Sequence, residues 1–125
     1  MSLSNYAENL LMQELETLLD AGTYVALSTT DPTEDGSGIT EPDSGDAYAR
    51  QPIGAITLAG SVIDNDADIT FDTATGDWGE ISHLAIFDDL TAGNMLAYCE
   101  LTSAKTVLSG DTAKILAGQL TITMD

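Results

Sequence analysis

The sequence predicts a mainly β fold, a β-sandwich of jelly-roll type with one N-terminal amphipathic helix. Three observations carry this. Short apolar stretches recur along the chain between clusters of Gly, Asp, Asn and Thr, giving seven to nine candidate strands. Only one stretch, near the N-terminus, spaces its apolar residues as a helix does. Hydrophobic residues make up 43% of the chain, enough for a core despite the charge. At 125 residues the chain reads as one domain, 1–125, with a helical segment at 3–21 and the sandwich over 23–125.

The helix is placed at residues 4–20. Leu3, Tyr6, Ala7, Leu10, Leu11, Leu15, Leu18 and Leu19 recur at three and four residues, with Glu8, Asn9, Gln13, Glu16 and Asp20 opposite. Asn5 and Glu8 have capping-box spacing, Ser4 competes as the N-cap, and Gly22 suits the position that ends the helix. The stripe either covers the sheet of its own subunit or packs against a neighbour.

Residues 24–30 (YVALSTT) form the first strand, stopped by Asp31-Pro32 because proline cannot donate to a ladder. The segment 31–46, DPTEDGSGITEPDSGD, is a long loop with six carboxylates. Loops beyond about 12–15 residues are commonly functional, so Glu34, Asp35, Glu41 and Asp43 are candidate contacts to something outside the domain. The competing reading is a solvated, partly mobile loop. Arg50, the only arginine, is expected to pair structurally with one or more carboxylates.

A second strand is expected over 53–59 and a short edge segment over 61–65. In the strand 67–71, Ala67, Ile69 and Phe71 point one way and the polar residues the other. The joint 73–79 places Trp78, the only tryptophan, between Gly76 and Gly79. The tryptophan is expected to fold over the sheet, the glycines supplying positive φ or close approach. Residues 80–87 are apolar on both faces, as in a central strand covered on two sides. The joint 88–94 is a hairpin loop ending in a Gly-Asn turn signal. Further strands are expected over 95–101, 102–107, 112–116 and 119–124. The last two form a hairpin through Ala117-Gly118, with Leu120, Ile122 and Met124 alternating inward.

The charge is unusual: three Lys or Arg against twenty-one Asp or Glu, a formal net charge of −18. Such a chain is expected to bind neither nucleic acid nor anionic membrane surfaces, since phosphate contacts need cations. Solubility, a high-salt environment or a basic partner surface would each account for it. No run of about 18 apolar residues occurs, and the N-terminus lacks the pattern of a secretion signal. Cys99, the single cysteine, is expected to be a small buried hydrophobe.

No constellation points to catalysis or to a cofactor. Ser82 and His83 are neighbours in a predicted strand and should face opposite ways, which precludes a nucleophile–base pair. Asp64, Asp66 and Asp68 alternate as calcium ligands do, but Ile69 and Thr75 stand where an EF-hand loop needs glycine and glutamate. A weak cation site is the most these three would form.

The segments SLSNYAENLL, YVALSTTDPTEDGSG, YARQ, ADITFDTATGDWGEISHLAIFD and LTSAKTVLSGDTAKILAGQLTITMD resemble a family of small tailed-bacteriophage virion proteins, often labelled tail fibre-like. The resemblance covers almost the whole chain and is most specific at FDTATGDWG and ISHLAIFD. It implies a structural virion protein without catalysis, assembled in the host cytoplasm. Long fibres need fibrous repeats or coiled coils, which this chain lacks. A capsid decoration or cement protein is therefore the expected role, as a symmetric homo-oligomer, a trimer being favoured, on the major capsid protein. A small tail, tail-fibre or baseplate component is the alternative, and a carbohydrate-binding β-sandwich the second. Leu3, Tyr6, Leu10, Leu11 and Trp78 join the four loop carboxylates as candidate interaction residues.

Overall fold

A computed structural model describes residues 1–123. The expected inward Met124 lies outside the described residues. The chain runs α1 (Asn5–Asp20), β1 (Tyr24–Ser28), a single 3-10 turn at Ser44–Asp46, β2 (Gln51–Pro52), β3 (Ile56–Ala59), β4 (Val62–Asn65), β5 (Ile69–Thr70), β6 (Gly79–Phe87), β7 (Met95–Val107), β8 (Lys114–Ile115) and β9 (Thr121–Thr123). The fold is mainly β with one helix near the N-terminus, as expected. Its strands form three antiparallel sheets, ordered β2-β1-β6-β7, β3-β4-β9 and β5-β8.

Helix α1 starts on Ser4, one residue before the expected capping box. The Ser4 hydroxyl accepts the Ala7 N–H at 3.2 Å, satisfying a donor that has no partner inside the helix. Gly22, at φ +106°, lies just beyond the end of the helix, as its position predicted. The stripe read from the sequence is split, with only Leu15 and Leu19 of its leucines on the buried face. Met12 and Leu19 are fully buried with Leu15 beside them, and α1 lies on β3 and β4. Leu3, Tyr6, Leu10, Leu11 and Leu18 face solvent. The apolar residues of α1 thus divide between two sides, and Met12 marks the one the sheet takes.

Strand β6 is central, as its two apolar faces predicted, between β1 and β7. On one face Ile81, Leu84 and Ile86 join Val25 and Leu27 in the main core. On the other, Ala85 and Phe87 pack with Ala26 under Ile39 and Met95. That second cover comes from the loop after β1, through Ile39, and from the start of β7. The second apolar face of β6 is therefore filled by the chain itself.

Several boundaries differ from expectation. Of the strand expected at 53–59 only β3 forms, with Gly54, at φ +73°, in the break between it and β2, which lies before the expected start. Strand β4 is not an edge: it pairs β3 on one side and β9 on the other. The two strands expected at 95–101 and 102–107 are one, β7, at the edge of its sheet. Its pairing with β6 jumps from Ile81↔Lys105 to His83↔Glu100, so residues 101–104 bulge outward. Most of β7 is exposed, including Cys99, which is not the buried hydrophobe expected. Strands β8 and β9 do not pair with each other. β8 takes β5 and β9 takes β4, while Gly118, at φ +77°, turns the chain between sheets.

Candidate functional site

The long loop is held by local chemistry. In its first half Asp31 accepts the Thr33 N–H at 2.9 Å, and Asp35 Oδ1 accepts the Ser37 N–H at 3.0 Å, the Ser37 hydroxyl at 2.7 Å and the Thr33 hydroxyl at 3.0 Å. The Ser37 hydroxyl and N–H, then Thr33, hold the Asp35 carboxyl down at about 2. Glu34 reaches across to the edge strand, where Tyr98 donates to it at 3.2 Å.

The second half of the loop is anchored on Arg50. Its Nε and Nη2 donate to Glu41 Oε1 and Oε2, both at 2.9 Å. Nη1 donates to the carbonyls of Asp89 at 2.9 Å and Ala92 at 2.8 Å, and the guanidinium lies 3.9 Å from the centre of the Phe87 ring. Tyr48 donates to Glu41 at 2.6 Å while accepting the Leu27 N–H at 3.1 Å. Burial works to raise the Glu41 carboxyl, but the hydrogen bonds from Arg50 and Tyr48 outweigh it and leave it below its usual value. Burial, then the bond to Glu41, drives the Tyr48 hydroxyl far upward, so it stays protonated. The structural pairing expected of Arg50 is present, with Arg50 buried and Glu41 partly exposed.

Asp43 caps the 3-10 turn, accepting the Gly45 N–H at 2.7 Å. Trp78 is in the core, edge-on to Tyr48 and Phe71, and its Nε1 donates to the Asp46 carbonyl at 2.9 Å. It folds inward as its joint predicted, which removes it from the surface. Both glycines earlier assigned to that bend are needed. Gly79 has φ +86°, and a Cβ on Gly76 would run into the Asp46 carboxylate.

The candidate cation ligands are not brought together. Asp66 accepts the Thr57 hydroxyl at 2.5 Å, and Asp68 accepts the Ala117 N–H at 2.9 Å beside Lys114 at 3.5 Å. Among the described residues no cluster of three potential metal ligands forms. Asn65, between these aspartates, is the residue the sequence reading missed. Its side chain donates to the Ala67 and Leu116 carbonyls and accepts the Leu120 N–H, at 2.9, 3.1 and 3.0 Å, tying the C-terminal segment to β4.

Ser82 and His83 do not face apart. The irregularity in β6 lets Ser82 Oγ approach His83 Nδ1 at 2.7 Å, while His83 Nε2 lies 3.8 Å from exposed Glu100. The strand alternation behind the opposite expectation fails at the bulge. Two surface clefts between β7 and the C-terminal segment are lined by other residues than these three.

The smaller cleft, about 400 Å³, lies between the start of β7 and β9; Glu34, Leu96 and Ile122 line it. The larger, about 760 Å³, lies between the second half of β7 and residues 111–119. The remaining exposed apolar side chains are concentrated on α1. The aromatics give no stacking platform: Tyr48, Phe71, Trp78 and Phe87 are buried, and exposed Tyr6 and Tyr98 sit on different elements.

These features define an acidic β domain whose buried side-chain polar atoms are paired among the described residues and whose helix keeps one apolar face outside. The family model described as Podophage GP4 fiber I protein gp80 matches residues 2–123, and the chain belongs to that family of phage tail-fibre-like virion proteins. No curated protein matches the chain.

Proposed function

We propose that this chain is a non-catalytic structural subunit of the phage fibre apparatus that works by self-assembly, as a symmetric homo-oligomer with a trimer as the expected state. The observation that carries the reading is the outward face of α1. Tyr6, Leu10, Leu11 and Leu18, with Leu3 just before the helix, are each about half exposed or more, while the opposite side of the helix is already seated. A contiguous apolar face of this kind marks an assembly contact. Membership of a family described as a podophage fibre protein supports the fibre location.

Capsid decoration is the second reading. The fold favours it in one respect: β-rich layers around one main core, without a fibrous repeat, suit a lattice ornament. Mass spectrometry of separated heads and tails decides between the two. Recovery with tails at low copy number supports the fibre reading. Recovery with heads, at a copy number comparable to the coat protein, overturns it in favour of decoration. Recovery with neither overturns both.

A further inference from the structure

The chain carries twenty-one acidic side chains and three basic ones, so the positions of the three decide which surface a second copy can approach without repulsion. Arg50 is buried against Glu41. The other two, Lys105 and Lys114, both line the larger cleft, between β7 and residues 111–119. Lys114 has Asp68 at 3.5 Å. Lys105 has no carboxylate within 4.0 Å among the described residues. The lining of this cleft is mixed: Leu84, Leu101, Ile115 and exposed Leu116 alternate with Thr102, Ser103, Thr112 and Gln119, and Asp111 is its one carboxylate. At about 760 Å³ it is within the roughly 300–1,000 Å³ of clefts that hold ligand-sized groups.

The outer face of α1 has the complementary character. Helical spacing sets Glu14 between Leu10 and Leu11 on one side and Leu18 on the other, and Glu14 is exposed. If outer faces of like helices packed together about a symmetry axis, these carboxylates would be driven toward one another. Like charges brought together in an interface oppose it.

We propose that the outer face of α1 of one copy seats in the β7–β8 cleft of a second copy, with Glu14 meeting Lys105. This rests on the self-assembly reading above and names its interface. The contact is heterologous: helix on one copy, cleft on the other. It therefore closes into a ring or runs on as a filament, and it cannot make a two-fold dimer. The free helix face and the free cleft of each copy are then used at once.

The test uses the full chain with Cys99→Ser, so that introduced cysteines alone report contacts. Lys105→Glu and Glu14→Lys are each expected to weaken self-association about tenfold in sedimentation equilibrium, equivalent to about 1.4 kcal/mol. The double variant is expected to restore it, and in solutions dilute enough to be monomeric all three variants are expected to melt near wild type, because both side chains are exposed. Leu11→Cys mixed with Thr102→Cys is expected to give a disulfide between copies, and Leu11→Cys alone to give none. An oligomer indifferent to both charge reversals, or joined through Leu11→Cys alone, overturns this interface but leaves self-assembly standing. A wild-type chain that stays monomeric at every concentration overturns both.

Discussion

Arg50 and Glu41 meet side by side, Nε on Oε1 and Nη2 on Oε2, each at 2.9 Å. The same guanidinium holds the Asp89 and Ala92 carbonyls and lies over Phe87. One side chain thus joins the acidic loop, the approach to β2 and the hairpin between β6 and β7. In a chain with so few cations, the only arginine is used to bring a long acidic loop down onto the second face of β6.

Replacing Glu41 by Gln leaves a buried guanidinium without its counter-charge. Removing one partner of a fully buried pair costs about 3–5 kcal/mol, and Glu41 retains partial exposure, so a loss of about 2 kcal/mol is expected in urea denaturation. Arg50→Lys should cost a comparable amount. A single ammonium cannot serve a carboxylate bidentately and two carbonyls together. A loss below about 0.5 kcal/mol for both, the range of ordinary surface substitutions, would show that the loop docks without the pair.

The pH dependence follows from the same carboxylate. Its folded value is lowered from the usual 4.5, so the fold prefers the ionised form. The stability this contributes is fully present above the unfolded value and is lost as pH falls through the lowered folded one. The stability gap between wild type and Glu41→Gln should therefore be constant at neutral pH and narrow progressively below 4.5. The gap for Asp35→Asn should narrow over a lower window, from 3.8 toward about 2. Taking differences cancels the relief of general repulsion as the other carboxylates protonate. Gaps that widen on acidification would contradict both assignments.

Salt should raise the melting temperature. A net charge of −18 on one small domain makes carboxylates repel one another across its surface. Screening shortens their reach to roughly 10 Å at 0.1 M ionic strength. Scanning calorimetry from low salt to a few hundred millimolar is expected to show a rise. A flat response would mean that local hydrogen bonds, such as those of Ser37 to Asp35, already offset the repulsion.

Much of this fold was legible because local patterns and tertiary needs agree. The two-faced apolar run of β6, the glycines on either side of Trp78 and the helix ending before Gly22 each follow from rules a few residues wide. What was not legible depends on distant partners. Nothing local says that Asn65 will bond residues near 118, or that Glu41 is the carboxylate Arg50 selects among six in its loop. The Ser82–His83 contact depends on a bulge set by β7, invisible in the alternation of β6 alone. The division of α1 has a different cause. The sequence reads as one wide stripe open to its own sheet or a neighbour, and the sheet takes only Leu15 and Leu19 of it, together with Met12.

That division of α1 gives the most direct prediction. Met12 is fully buried, and its truncation to Ala leaves a cavity under the helix; such changes cost about 2–5 kcal/mol. Leu11, one position along, is 47% exposed and contributes little to the fold of a single copy. Leu11→Gln should therefore leave the urea midpoint of the isolated chain nearly unchanged, within the roughly 0.5 kcal/mol typical of surface substitutions. The two variants should separate cleanly by assay. Met12→Ala lowers stability at every protein concentration. Leu11→Gln lowers only the concentration-dependent part, because the side chain it removes is covered by a neighbour and not by its own sheet. Equal destabilisation by both in dilute solution would mean that both faces of α1 are packed within one copy, and the outward face would lose its standing as an assembly surface.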